Sequence, residues 1–199
     1  MTGSRSRAAM GPSNTGLAAL GRRRRRGEAA GMRVLVIHAS KHGGTEEIAA
    51  RVAARLNASG LQVELRRIGD PADMRAFDAF VVGSSIYMGH WNRDAVSFVR
   101  ENRVVLASRP VWLFSSGPIG TQPKVPPSEL PELQLLVGSD RHIVFGGVLK
   151  PDELSAGARL IARLMRASGD SRDWAEIDAW ADGVVADMNR RAPVSARAI

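Results

Sequence analysis

Three short segments carry residue types from which a binding site can be built. The first is Ser40-Lys41-His42-Gly43-Gly44-Thr45, between an apolar run and residues at helical spacing. Small residues let a main chain approach a ligand, and the free N–H groups of a helix N-terminus favour an anion. The hydroxyls of Ser40 and Thr45 add donors, so the chemistry on offer is a phosphate cradle. The segment lacks both the Gly-Lys-Ser/Thr ending of a nucleoside-triphosphate loop and the Gly-x-Gly-x-x-Gly of a dinucleotide fingerprint. An ordinary turn at a helix start fits the same residues. The second segment, Gly83-Ser84-Ser85-Ile86-Tyr87-Met88-Gly89-His90-Trp91, holds aromatic and apolar side chains between glycines. Tyr87, the only tyrosine, can stack on a flat heterocycle whose polar edge meets backbone groups. Alternatively, Tyr87 and Trp91 cover the end of a sheet. The third, Ser115-Ser116-Gly117-Pro118-Ile119-Gly120, offers two hydroxyls and exposed amides. His90 is the candidate proton donor, because imidazole titrates near neutral pH. A loop histidine bonded to backbone is the plainer reading. Asp94 reads as a first-turn helix acid rather than a catalyst.

The elements around these segments form a regular alternation. Arg33 to His38, Leu61 to Arg66, Asp78 to Val82, Pro110 to Phe114 and Arg141 to Phe145 read as strands. Ile48, Ala49, Val52, Ala53 and Leu56 recur at helical spacing, as do Ala95, Val96, Phe98 and Val99. Two further helices are expected over 153–166 and 173–190. Strands alternating with helices imply parallel pairing through right-handed crossovers, hence an α/β, doubly wound, five-stranded sheet. In such sheets ligands sit outside the carboxyl ends of the strands at the switch in strand order. The three Gly/Ser-rich segments follow the first, third and fourth strands.

Composition narrows the function classes. The 199 residues include no cysteine, which excludes disulfides, a thiol nucleophile and cysteine-held zinc or iron–sulfur clusters. No metal-ligand set is expected. The net charge of +8 suggests a nucleic-acid binder, but its distribution does not. Residues 1–31 hold seven arginines against Glu28 alone, whereas 32–199 hold 21 basic and 19 acidic residues. Residues 1–31 are expected to be a disordered Arg-rich extension, with Met32 a candidate start of translation. The domain is expected over 32–191, and 192–199 as a flexible end. No specific nucleic-acid partner is expected. No run approaches the ~18 apolar residues of a membrane-spanning helix, and the expected location is cytoplasmic. In the expected helix 153–166, Arg159, Arg163 and Arg166 line one face beside apolar residues. That pattern suits peripheral contact with the inner face of a membrane, or simply a solvated arginine face.

The chain resembles the flavodoxin-like family over residues 33–190. Flavodoxins carry Ser/Thr-x-Thr-Gly-x-Thr after the first strand; Ser40, Gly43 and Thr45 match, while His42 replaces the middle threonine and offers a ring N–H for a hydroxyl. The resemblance implies strand order 2-1-3-4-5 and a bound flavin mononucleotide (FMN). Its phosphate would lie on Ser40, Lys41, His42, Gly43, Gly44 and Thr45. Its ring would lie between Ser84, Ser85, Ile86, Tyr87, Met88 and Gly89 on one side and Ser115, Ser116, Gly117 and Gly120 on the other. Within the family, the Gly83 to His90 pattern and the long segment from Gly146 to Asp173 are similar to menaquinone-dependent protoporphyrinogen dehydrogenases. That likeness implies an FMN-dependent oxidoreductase meeting a quinone or porphyrinogen. An electron-transfer flavodoxin, or a flavodoxin-fold module without flavin, are the alternatives.

Overall fold

The computed structural model describes residues 31–117, 123–149 and 169–191. Nearly all of the Arg-rich extension, the expected helix 153–166 with Arg159, Arg163 and Arg166, Gly120, and residues 192–199 lie outside them.

Strand β1 (Arg33–Ala39) is buried from Val34 onward, as its unbroken apolar run requires of a central parallel strand. It leads into helix α1 (Gly44–Ala58), whose buried residues repeat at helical spacing from Thr45 and Ile48 to Leu56. Strand β2 (Gln62–Arg67) has no fully buried residue, with Leu65 exposed, and lies at one edge. A 3-10 turn (Met74–Ala76) precedes β3 (Ala79–Tyr87), which folds back as the two-residue β4 (His90–Trp91). Helices α2 (Arg93–Glu101) and α3 (Arg103–Ala107) lead to β5 (Val111–Ser116). Then follow α4 (Leu130–Val137) and β6 (His142–Phe145). β7 (Val148–Leu149) pairs antiparallel with β8 (Gly169–Asp170) before α5 (Trp174–Arg191).

The five long strands run parallel in the order β2-β1-β3-β5-β6, the order implied above. Alternate residues serve opposite cores. Val34, Val36, Val81, Trp112 and Phe114 pack under α1 and α5; Leu35, Ile37, Phe80, Val82 and Leu113 pack under α2, α3 and α4. On the α1–α5 face, Phe114, Phe145 and Trp180 form a tilted and edge-on trio with centroids 5.6 to 5.9 Å apart. Outside that core, Arg51 grips Asp178 and Arg55 grips Asp182 through paired bonds of 2.6 to 2.8 Å. The four-residue step is the same on both helices, so it registers α1 on α5. The pairs are exposed and each contributes little stability.

Several boundaries differ from expectation. β3 does not end at Gly83: Ser84 pairs with Ala39 and Ser115, and Ile86 and Tyr87 pair with Trp91 and His90. The segment read as a loop is therefore mostly strand, because its serines still have ladder partners. β5 likewise runs on to Ser116. The short α3 and α4 were not expected. α4 carries Pro131 in its first turn, where a missing N–H breaks no helical bond. Asp173 starts α5 as anticipated, its carboxylate accepting from the amides of Ala175 and Glu176.

Candidate functional site

The register brings the three segments together. Ala39, Ser84, Ser115 and Val144 stand side by side across the carboxyl ends of β1, β3, β5 and β6. The described parts of the three segments therefore lie at the carboxyl end of one sheet.

The first loop leaves polar groups unpaired at the start of α1. Gly43 adopts φ 70°, a left-handed conformation that suits glycine, and no side chain caps the helix. The first helical bond runs from the Glu47 amide to the Gly43 carbonyl, 3.0 Å. The Thr45 and Glu46 amides precede it and have no acceptor within the helix. Ser40 is buried, and its Oγ has no hydrogen-bond partner. Its carbonyl accepts from Arg67 Nη2 at 3.1 Å. Two carboxylates, Glu46 and Glu47, stand in the first turn, but Arg172 Nη1 pairs with Glu47 at 2.7 Å. Gly44 is packed against β7: a Cβ there would fall 2.7 Å from Val148 Cγ1. Lys41 is exposed, with Nζ 5.4 Å from the centre of the Tyr87 ring, which links the first loop to the hairpin.

His38 was not among the expected site residues. It is 3% exposed, and its Nδ1 has no partner. Burial lowers its pKa; Arg67 adds to that, while Glu46 and Asp70 oppose it. The only sequence signal was an imidazole ending an otherwise apolar strand.

The serines of the second and third segments behave differently. Ser84 is fully buried; its Oγ accepts from the Asn92 amide at 3.0 Å and donates to the Ser85 carbonyl at 3.1 Å. Ser115 is also fully buried. It accepts from Trp91 Nε1 at 2.7 Å and lies 2.8 Å from His142 Nε2. Burial pushes the His142 pKa down to about 4, so the ring is neutral at neutral pH and shares one hydrogen bond with the Ser115 hydroxyl. Both hydroxyls are thus spent on the interior, although sequence placed them against a ligand. Trp91 is buried as sheet cover. Ser85 and Ile86 are half-buried and Ser116 is buried, while Tyr87 and Met88 project at 69% and 82% exposure. Gly117 lies at φ 127°, and a Cβ there would approach the Ile86 carbonyl to 3.3 Å. Its amide is not exposed for a ligand but donates to the Phe145 carbonyl at 3.1 Å.

His90 has side-chain rather than backbone partners. Its Nδ1 lies 2.8 Å from Glu129 Oε1 and 2.9 Å from Ser128 Oγ. Glu129 Oε2 also accepts from the Trp91 amide at 3.2 Å, and the Ser128 amide donates to the Gly89 carbonyl. Burial raises the Glu129 pKa, but the bonds from His90, its own backbone and Trp91 outweigh it and hold the carboxyl below its usual range. Asp94 sits in the first turn of α2, its amide bonded to the Asn92 cap, as read from sequence.

A family model described as Flavodoxin domain matches residues 35–174. The chain belongs to the flavodoxin domain family. Protoporphyrinogen IX dehydrogenase (quinone) of Escherichia coli strain K12 is 28% identical to it over 152 residues, covering 71% of this chain and 83% of that protein. Among solved structures, the flavodoxin of Streptococcus pneumoniae TIGR4 superimposes with TM-score 0.53 at 18% identity, covering 78% of this chain and 99% of that one. Rubredoxin oxygen:oxidoreductase of Desulfovibrio gigas gives TM-score 0.50 at 14% identity. This flavodoxin domain spans about a third of that larger chain, 34%. These two likenesses concern the fold.

Proposed function

We propose that this flavodoxin domain binds FMN and is an oxidoreductase that meets a quinone or porphyrinogen-type small molecule. The observation that carries the FMN reading is the unpaired, buried Ser40 Oγ in the loop that opens α1. An unmade hydrogen bond at a buried hydroxyl is costly, and a phosphate oxygen is the partner that the loop's chemistry suits. The residues present therefore fit the group. Ser40, Thr45 and the amides of Thr45 and Glu46 would hold the phosphate. Ser85, Ile86, Tyr87, Ser116 and Gly117 would border the ring. Ser84 and Ser115 hold those borders in place from below.

FMN when bound supplies the electron-transfer chemistry. The protein's part is to bind, orient and shield. The hairpin of β3 and β4 presents Tyr87 and Met88 as an apolar rim on which a flat partner can land. Lys41 lies over the Tyr87 ring and keeps a positive charge at the mouth. His90, held by Glu129 and Ser128, is the candidate to move a proton at its ring beside that rim. The dehydrogenase reading draws on the likeness to the Escherichia coli protein. A simple carrier is disfavoured because the domain lacks the strong acidity with which such carriers dock basic partners.

The test begins with the absorption spectrum and released cofactor of the purified protein. Colourless protein that quenches no flavin fluorescence on titration with FMN sinks the proposal. Anaerobic oxidation of protoporphyrinogen with a menaquinone analogue then separates an enzyme from a carrier. Peripheral membrane contact through Arg159, Arg163 and Arg166 belongs to the same proposal. Flotation with anionic liposomes, wild type against a triple Arg→Ser variant, tests it, and equal negligible binding ends it. Among the described residues no helix is long and apolar enough to cross a membrane.

A further inference from the structure

Two buried polar atoms among the described residues lack a partner, His38 Nδ1 and Ser40 Oγ. They belong to residues two apart, at the carboxyl end of β1 and just beyond it. A native interior rarely leaves such groups unmatched without a use for them. Ser40 is explained by the phosphate reading above; His38 is not.

We propose that His38 is a proton-accepting member of the anion site: when a phosphate monoester settles on residues 40–45, the imidazole takes up one proton from solvent and faces the dianion as an imidazolium. This rests on the phosphate reading of the loop and adds a residue to it. Without the anion the imidazole stays neutral. It is 97% removed from solvent, and burial opposes charge. The charged groups around it pull in opposite directions: Glu46 from α1 and Asp70 from the turn after β2 favour the proton, and Arg67 from β2 opposes it. Arg67 is committed to the loop through the Ser40 carbonyl. A dianion placed at that loop adds two negative charges to the side of Glu46 and Asp70, against burial and Arg67, in a surrounding where little water screens them. The partnerless Nδ1 then gains an acceptor nearby.

The direct test follows the ring resonances of the four histidines by NMR against pH, with and without saturating inorganic phosphate. His38→Gln assigns the signal. The expected result is a His38 midpoint raised by about one pH unit or more in phosphate, as for an opposite charge a few ångströms away. Riboflavin, which lacks the phosphate, leaves the midpoint unmoved. Calorimetry with FMN in two buffers of different ionisation enthalpy gives the second readout: wild type takes up more protons than His38→Gln, and FMN's own ionisation cancels in the difference. His38→Phe serves if the glutamine variant fails to fold. A His38 midpoint indifferent to phosphate, or equal proton uptake by wild type and variant, overturns the inference. Absence of FMN binding in wild type instead overturns the FMN reading, and the inorganic phosphate titration still decides His38.

Discussion

The phosphate side and the ring side of the site stand on neighbouring strands of one sheet, yet they treat buried polar groups in opposite ways. On the ring side, Ser84 and Ser115 are fully buried and each makes two hydrogen bonds within the protein. On the phosphate side, Ser40 and His38 are almost as buried and keep an atom with none. The first arrangement is finished without a ligand; the second is not. An unsatisfied buried group destabilises a fold by about 1–3 kcal/mol. Holding two of them at one loop only makes sense where something arrives to satisfy them. On the proposed reading, the ring side supplies the rigidity and the phosphate side the affinity.

The hardest test of that division is Gly83→Ala. The ring of Phe114 lies against Gly83, and a Cβ would fall 2.0 Å from its Cζ. Phe114 cannot retreat, because Phe145 and Trp180 enclose it. The variant is expected to lose about 3 kcal/mol of stability, the upper range for overpacking, read from urea denaturation. A loss below about 1 kcal/mol means that the ring side can yield, and the contrast fails.

Next comes Ser115→Ala, which strands Trp91 Nε1 and His142 Nε2 together. A loss of roughly 2 kcal/mol is expected. The same chain predicts a pH effect. His142 has a depressed folded pKa of about 4 against 6.5 when unfolded, so below pH 6.5 the unfolded chain binds the proton more readily. Stability contributed by the neutral ring is full above pH 6.5 and declines as pH falls toward 4. The decline is on the order of 2 kcal/mol once solvent screening is allowed for. His142→Phe should flatten that part of the stability–pH curve, and an unchanged curve contradicts the assignment.

How much of this was legible in the sequence follows the same line. The strands were legible because parallel strands buried on both faces read as apolar runs, and the glycines and serines marked the carboxyl ends at which the three segments gather. Family resemblance carried the strand order. The boundary at Gly83 was misread because serine and glycine signal a turn when no partner strand is visible. Ser84 and Ser115 were placed against a ligand for the same reason: hydroxyls look available until their neighbours are known. The pairing of Trp91 with Ser115, and of His90 with Glu129, joins residues 24 and 39 apart. No local pattern encodes such pairs. His38 lay inside an apolar run, where its type was visible but its missing partner was not.

Ser40→Ala probes the unfinished side. Removing a hydroxyl that bonds to nothing leaves stability within about 0.5 kcal/mol of wild type, or raises it slightly. FMN affinity should fall about tenfold, which corresponds to about 1.4 kcal/mol. Fluorescence quenching measures the affinity and thermal unfolding the stability. The pairing of opposite outcomes is what matters. Ser115→Ala should lose stability, Ser40→Ala affinity. If Ser40→Ala instead unfolds the protein as Ser115→Ala does, the two sides are built alike.

The smallest effect belongs to the tip of the hairpin. Met88 holds φ 51° and Gly89 φ 81°, the two positive values that a tight two-residue hairpin turn requires. Glycine adopts this readily, whereas methionine is strained by about 1 kcal/mol. Asparagine tolerates the conformation far better, so Met88→Asn should raise stability by about 0.5 kcal/mol in urea denaturation. Met88 is also 82% exposed, so burial cannot be the reason for its presence. A strained, exposed, apolar residue beside Tyr87 is better explained by what lands there. The variant should therefore be more stable, yet have a higher KM for a quinone analogue, with kcat little changed. A KM that stays at the wild-type value would show that the rim does not receive the substrate, and would leave the ring side as scaffold alone.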